Sequence, residues 1–122
     1  MYQLRVTTYF AAAHQLREYE GKCENLHGHN WRVDVVVASD TLDDTGMAID
    51  FKVLKGLIEE ILDDYDHRYL NDVPPFDRIN PTTENMARHL YERLGTRVPD
   101  TAHVESVTCW ESERCGATYR ET

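Results

Sequence analysis

Apolar and polar residues alternate from the start of the chain. Leu4, Val6, Thr8, Phe10 and Ala12 share one parity across residues 2–13, which predicts a strand with one buried face. His14 continues that parity just past the end. A polar stretch, residues 15–26, follows and contains Gly21. The alternation then resumes, with His27, His29, Trp31, Val33, Val35 and Val37 on one face and Arg32 and Asp34 on the other. This predicts a second strand over about 27–38. Residues 39–46, rich in Asp, Thr and Gly, read as a turn or loop.

The period then changes. Phe51, Leu54, Leu57, Ile58, Ile61, Leu62 and Tyr65 recur at helical spacing behind Asp50, a favourable N-cap. Residues 71–81 hold three of the four prolines and are expected to be irregular. A second helix is expected after Pro81, with Thr82 as N-cap, Glu84 in its electropositive first turn, Met86, Leu90 and Leu94 on its buried side, and Gly95 at its end. Two strands, about 103–112 and 117–120, close the chain around a turn at 113–116. The order β-β-α-α-β-β predicts an α+β fold, an antiparallel sheet with both helices on one face. The other face then lacks a cover, and if it is apolar, oligomerisation is the natural way to supply one.

No linker, repeat or low-complexity segment divides the 122 residues, so one domain over 1–122 is expected. Apolar residues make up 41% and charged residues 29%, as in ordinary globular proteins. Thirteen basic against 22 acidic residues leave a net charge of −9, which argues against nucleic acid or an anionic membrane as partner. No apolar run has the length of a membrane span, and the N-terminus lacks a signal-peptide pattern. Three cysteines, an odd number at irregular spacing, do not form a disulfide framework. A cytoplasmic protein with free thiols is therefore expected.

The segment Cys23-Glu24-Asn25-Leu26-His27-Gly28-His29 concentrates the chemistry. Residues i and i+2 of a strand point the same way, so His27 and His29 present two imidazoles together. Gly28 between them leaves room on the opposite face and permits close backbone approach. A hairpin brings His14, at the end of the first strand, beside them. Three histidines with an open fourth position describe a catalytic zinc site, and zinc is favoured by the neutral imidazole set, which includes no carboxylate or thioether ligand. Cys23 reads either as a fourth ligand or as a thiol activated by the nearby cation. Asp66-His67 reads either as a helix C-terminus or as a general acid–base pair. Glu111 shares parity with Val107 and Cys109, and reads either as an inward carboxylate for an amidine-like ligand or as a solvated strand end. His89 and His103 read as ordinary surface or helix histidines, and Cys109 as core.

Taken in order, these residues resemble the 6-pyruvoyltetrahydropterin synthase family over essentially the whole chain. The resemblance rests on Phe10-Ala11-Ala12-Ala13-His14, the 23–29 segment, Gly46-Met47-Ala48-Ile49-Asp50-Phe51 and Leu54-Lys55. It continues through Asp66-His67-Arg68-Tyr69-Leu70-Asn71-Asp72, Asn80-Pro81-Thr82-Thr83-Glu84-Asn85, Glu111 and Cys115-Gly116-Ala117-Thr118-Tyr119. Three residues between Cys23 and His27 resemble the bacterial 6-carboxy branch, whereas the animal pyruvoyl branch has four. Trp110 departs from the pattern, since related chains often place a basic residue before the glutamate.

The resemblance implies the tunnelling fold, with subunits in trimeric barrels stacked as a homohexamer and active sites between subunits. It implies zinc on His14, His27 and His29, Cys23 as the proton-abstracting thiolate, and Asp66 and His67 as its relay. Glu111 would anchor the pterin ring and join the relay, and Thr82, Thr83 and Glu84 would help hold the ring. The implied reaction is that of a lyase. It converts 7,8-dihydroneopterin triphosphate to 6-carboxytetrahydropterin, acetaldehyde and triphosphate, on the route to queuosine. Lys22, Arg17, Arg68 and Arg114 are the candidate cations for the triphosphate. The competing expectations are the pyruvoyl-forming reaction, a zinc hydrolase and a non-catalytic zinc-binding module.

Overall fold

A computed structural model describes residues 1–17 and 25–121. Two long strands, β1 (Tyr2–His14) and β2 (His27–Ser39), form an antiparallel ladder whose register runs without a slip from Tyr2 opposite Ser39 to His14 opposite His27. Val6, Phe10, Ala12 and His14 are buried while Arg5, Thr7 and Tyr9 are exposed, so period-two patterning sets the inward face. Helix α1 (Phe51–Leu62) starts at Asp50, whose carboxylate accepts from Lys52 N. Strand β3 (Arg68–Tyr69) and a 3-10 turn (Leu70–Asp72) lead into the proline-rich segment. Helix α2 (Thr83–Gly95) is capped by the Thr82 hydroxyl, and strands β4 (His103–Trp110) and β5 (Gly116–Tyr119) finish the sheet.

The sheet order is β3-β1-β2-β4-β5. The expected element order holds, with one addition. β3 is a two-residue edge strand parallel to β1, pairing Arg68 with Ala12 and Tyr69 with Ala13. The apolar pattern cannot show it, because side-chain and turn contacts hold it in place. Asp66 Oδ1 accepts from Ala11 N (2.9 Å), and His67 N donates to Ala11 O (2.6 Å). His67 itself sits at φ 58°, where the chain reverses onto the β1 edge. Opposite Val36 and Val37 the β2–β4 ladder shifts register, and Glu105 is the extra residue of the bulge.

Both helices pack into a single core that includes Phe10, Trp31, Val33, Val35, Leu54, Ile58, Met86, Leu90 and Val107. The buried stripe of α1 is Leu54, Ile58, Ile61 and Leu62, extended by Tyr65. Phe51, expected in that stripe, is instead 53% exposed, because it sits at the first helical position beside the preceding loop. The uncovered sheet face is polar rather than apolar. Asp34 accepts from the Thr7 hydroxyl (2.7 Å), Trp110 Nε1 (2.9 Å) and Arg32 Nε (3.1 Å). Burial pushes the Asp34 carboxyl up, but these hydrogen bonds and the Arg32 charge hold it below the usual range. The exposed apolar surface collects elsewhere. Tyr2, Leu42, Met47 and Phe51 line a groove of about 300 Å³ ahead of α1.

Candidate metal centre and its surroundings

The β1–β2 register builds the site. It sets His14 opposite His27 and Ala12 opposite His29, so all three imidazoles gather at one end of the inward face. His14 is fully buried; His27 and His29 are half-buried. Trp31 packs edge-on against both His14 and His29, at ring-centroid distances of 5.1 and 5.7 Å. Glu111, the first residue past β4, completes the group, and the ligand atoms of all four residues lie within 4.8 Å of one another.

The hydrogen bonds of two rings fix what they can offer. His14 Nδ1 lies 2.8 Å from Pro81 O, and His27 Nδ1 lies 2.8 Å from Asn25 O. A carbonyl only accepts, so each Nδ1 carries the hydrogen, and in the neutral ring each Nε2 presents a lone pair. Those two Nε2 atoms are 2.9 Å apart. Glu111 Oε1 lies 3.1 Å from His14 Nε2 and 3.2 Å from His29 Nε2. Lone pairs converging in this way repel unless a cation sits between them. A tetrahedral ion with bonds of about 2.0–2.1 Å has ligand-to-ligand edges of about 3.3–3.4 Å, close to the spacing found here. The donor set is therefore fit to hold a metal ion.

Asp66 and His67 are not part of that cluster. His67 Nδ1 donates to Asp66 Oδ2 at 3.0 Å, and the His67 side chain is 82% exposed. It lines a cavity of about 540 Å³ together with Ala11, Gly28, His29, Asn30 and Tyr69, so the cavity reaches one member of the histidine cluster. The backbone hydrogen bond from Ala11 holds the Asp66 carboxyl below its usual range, against a small opposing effect of burial, and His67 adds to it. Gly28 serves this cavity. A Cβ there would meet only Ala12 O at 3.9 Å, so close backbone approach, the sequence-based reason for it, does not apply. Cys23 and Lys22 lie outside the described residues.

Pro81, whose carbonyl meets His14 Nδ1, immediately precedes the α2 cap Thr82. The Thr82 hydroxyl is used in capping, accepting from Asn85 N at 3.1 Å, while Thr83 is half-buried and Glu84 exposed. Two asparagines that the pattern did not single out hold the chain leaving His14. Asn71 exchanges hydrogen bonds with Gln15 N and O (2.9 and 2.7 Å), and Asn80 does the same with Arg17 N and O (2.7 and 3.0 Å). Arg17, expected among the phosphate cations, instead donates to the carbonyls of Phe76 (2.6 Å), Ile79 (3.1 Å) and Asn71 (3.2 Å). It braces the proline-rich segment. His89 is half-buried rather than a plain surface group, and its Nε2 is 2.6 Å from Tyr65 Oη. Cys109 is core, as expected, and burial pushes its thiol far up.

This fold and cluster define a tunnelling-fold enzyme with a histidine group at one end of its sheet whose geometry is fit to hold a metal ion. Residues 3–122 match the family described as 6-pyruvoyl tetrahydropterin synthase, and the chain belongs to that family. It is 42% identical to the 6-carboxy-5,6,7,8-tetrahydropterin synthase of Synechocystis sp. over 112 residues, covering 86% of this chain and 85% of the relative. It is 40% identical to the Bacillus subtilis protein of the same name over 98 residues, covering 76% of this chain and 65% of the relative. The solved structure of Caenorhabditis elegans 6-pyruvoyl tetrahydropterin synthase superposes with a TM-score of 0.87 at 29% identity, covering 99% of this chain and 96% of that one.

Proposed function

We propose that residues 1–122 form a single zinc-dependent 6-carboxytetrahydropterin synthase domain that converts 7,8-dihydroneopterin triphosphate and water to 6-carboxytetrahydropterin, acetaldehyde and triphosphate. The convergence of His14, His27 and His29 in a chain 42% identical to a synthase of that name carries the reading. His14, His27 and His29 hold the zinc, which lends Lewis acidity to the side-chain hydroxyls of the substrate. Cys23 takes the proton from the adjoining carbon. Asp66 holds the His67 ring for the return of that proton. Glu111 accepts from the amidine edge of the pterin, flanked by Thr82, Thr83 and Glu84, and Arg68, Arg114 and Lys22 remain to meet the triphosphate. His67 lines the same cavity as His29 but is not among the four clustered ligand residues, and an active site completed between subunits accommodates both. The exposed apolar groove ahead of α1 supports assembly into a homohexamer of two trimers. No helix among the described residues is long and apolar enough to cross a membrane, and we place the enzyme in the cytoplasm, on the route to queuosine.

The test is incubation of the purified protein with dihydroneopterin triphosphate and mass spectrometry of the products. Acetaldehyde and the 6-carboxy pterin are expected, and Cys23→Ala abolishes both. The likeness to the C. elegans protein supports a second reading, in which the product keeps its three-carbon side chain as a pyruvoyl group. Accumulation of that product without acetaldehyde selects it. A Cys23→Ala enzyme of undiminished activity sinks both.

A further inference from the structure

We propose that Tyr65, His89 and Arg93 are positioning residues for the Asp66–His67 pair, through which helix α2 clamps the first residue of the turn that carries the pair. This rests on the proton-return role given above to Asp66 and His67. It adds a device remote from the histidine cluster that sets where the two side chains stand.

The turn is defined by its hydrogen bonds. Arg68 N donates to Tyr65 O (3.2 Å), so Tyr65 opens a four-residue turn, Asp66 and His67 are its central residues, and Arg68 closes it. His67 takes φ 58°. That region is uncommon for a residue with a Cβ, and it persists where the surroundings fix the chain on both sides. On one side β1 does so, through His67 N to Ala11 O (2.6 Å) and Ala11 N to Asp66 Oδ1 (2.9 Å). The His67 side chain is 82% exposed and meets Asp66 Oδ2 at 3.0 Å, so the direction of its ring is inherited from the turn.

On the other side the anchor is Tyr65. It lies beyond the last residue of α1, yet it is 1% exposed. Its ring packs edge-on to Phe76 and His89, at centroid distances of 6.1 and 5.8 Å. A buried hydroxyl needs partners, and both come from one face of α2, four residues apart. Arg93 Nη1 donates to Tyr65 Oη (2.9 Å), and the hydroxyl hydrogen goes to His89 Nε2 (2.6 Å). Arg93 Nη1 also donates to Asp64 Oδ2 (2.8 Å), so α2 grips the two residues immediately before Asp66. Apolar packing alone is non-directional. A hydroxyl shared between a donor and an acceptor fixes how the Tyr65 ring lies against α2, and the adjoining backbone carries that to the turn.

Two variants and one control test this. Tyr65→Phe keeps the ring and removes the hydroxyl, His89→Leu removes the acceptor, and His89→Gln keeps one. In zinc-loaded protein, hydrogen exchange at the Ala11 and His67 amides reports the two bonds between the turn and β1. Both should exchange about tenfold faster in Tyr65→Phe and His89→Leu, well beyond any change at Val33 and Val35 within β2. With dihydroneopterin triphosphate, both variants should lose kcat at unchanged KM and unchanged zinc content. His89→Gln should match wild type in exchange and in kcat. Exchange that rises equally at Ala11, His67, Val33 and Val35 overturns the inference, because it shows general loosening. Wild-type exchange in Tyr65→Phe overturns it too, as does a raised KM at unchanged kcat, or a His89→Gln enzyme as impaired as His89→Leu. If His89→Leu does not fold, Tyr65→Phe decides alone. A wild-type protein that turns over no pterin refutes the proposed reaction, and the exchange rates then still decide whether α2 holds the pair.

Discussion

At the scale of single residues, titration follows from contacts rather than from residue type. His89 shows this outside the metal cluster. Burial lowers its pKa from the ordinary 6.5, and the Arg93 charge lowers it further against a smaller opposing effect of Glu92. Arg93 Nη1 donates to Tyr65 Oη at 2.9 Å, so the Tyr65 hydroxyl hydrogen is left for His89 Nε2, which must be unprotonated to accept it. Below pH 6.5 the unfolded chain binds a proton at this histidine that the folded protein refuses. Stability therefore falls as pH falls from 6.5 toward the lowered folded-state value, and levels off below it. His89→Gln, which still accepts from Tyr65, should show a shallower loss of urea midpoint across that window than wild type. The other histidines are common to both proteins and cancel in the difference. Parallel pH profiles for the two proteins are the result that would refute this.

At the scale of elements, the β4–β5 hairpin shows how one glycine positions the end of the site. A Cβ on Gly116 would lie 2.7 Å from Trp110 Cδ2 and Cε3 and 3.1 Å from Cys109 O. The indole cannot easily retreat, because its Nε1 is bonded to Asp34 and the Arg32 guanidinium lies 5.8 Å from the ring centroid. Gly116→Ala should cost about 1–3 kcal/mol through this overpacking. A lower urea midpoint at unchanged m-value is the expected reading, and an unchanged midpoint refutes it. The close approach is tertiary, so the glycine looks like an ordinary turn residue in the sequence. Other elements were legible because their signals are local. Alternation marked β1 and β2, Asp50 and Thr82 marked the helix starts, and parity put His27 and His29 on one side. β3 was illegible because the Asp66 carboxylate and the Ala11 backbone hold it across 55 positions. Glu111 was half-legible. Parity turned it inward, but its arrival beside His14 depends on β4 pairing with β2, which no local pattern states.

At the scale of the whole molecule, stability and chemistry meet at the same end of the sheet. The core lies between the sheet and the two helices, and on the opposite face Asp34 is satisfied by Thr7 and Trp110. The histidine cluster is different. It joins the ends of β1 and β2 to the residue beyond β4, three places far apart in the chain, through groups whose lone pairs converge. Without a cation that convergence is repulsive, and with one it becomes a crosslink that only the folded state possesses. Metal should therefore stabilise the folded protein by linkage, by about 2.7 kcal/mol when free metal is 100 times its dissociation constant. For a chain of this size that is a rise in Tm on the order of 10 °C. Protein stripped with a chelator should melt correspondingly lower than the zinc-loaded protein at the same protomer concentration. His27→Ala should melt at one temperature with or without zinc, because it removes a ligand common to every version of the site. If stripped and loaded wild-type protein melt together, the four residues are not a metal crosslink.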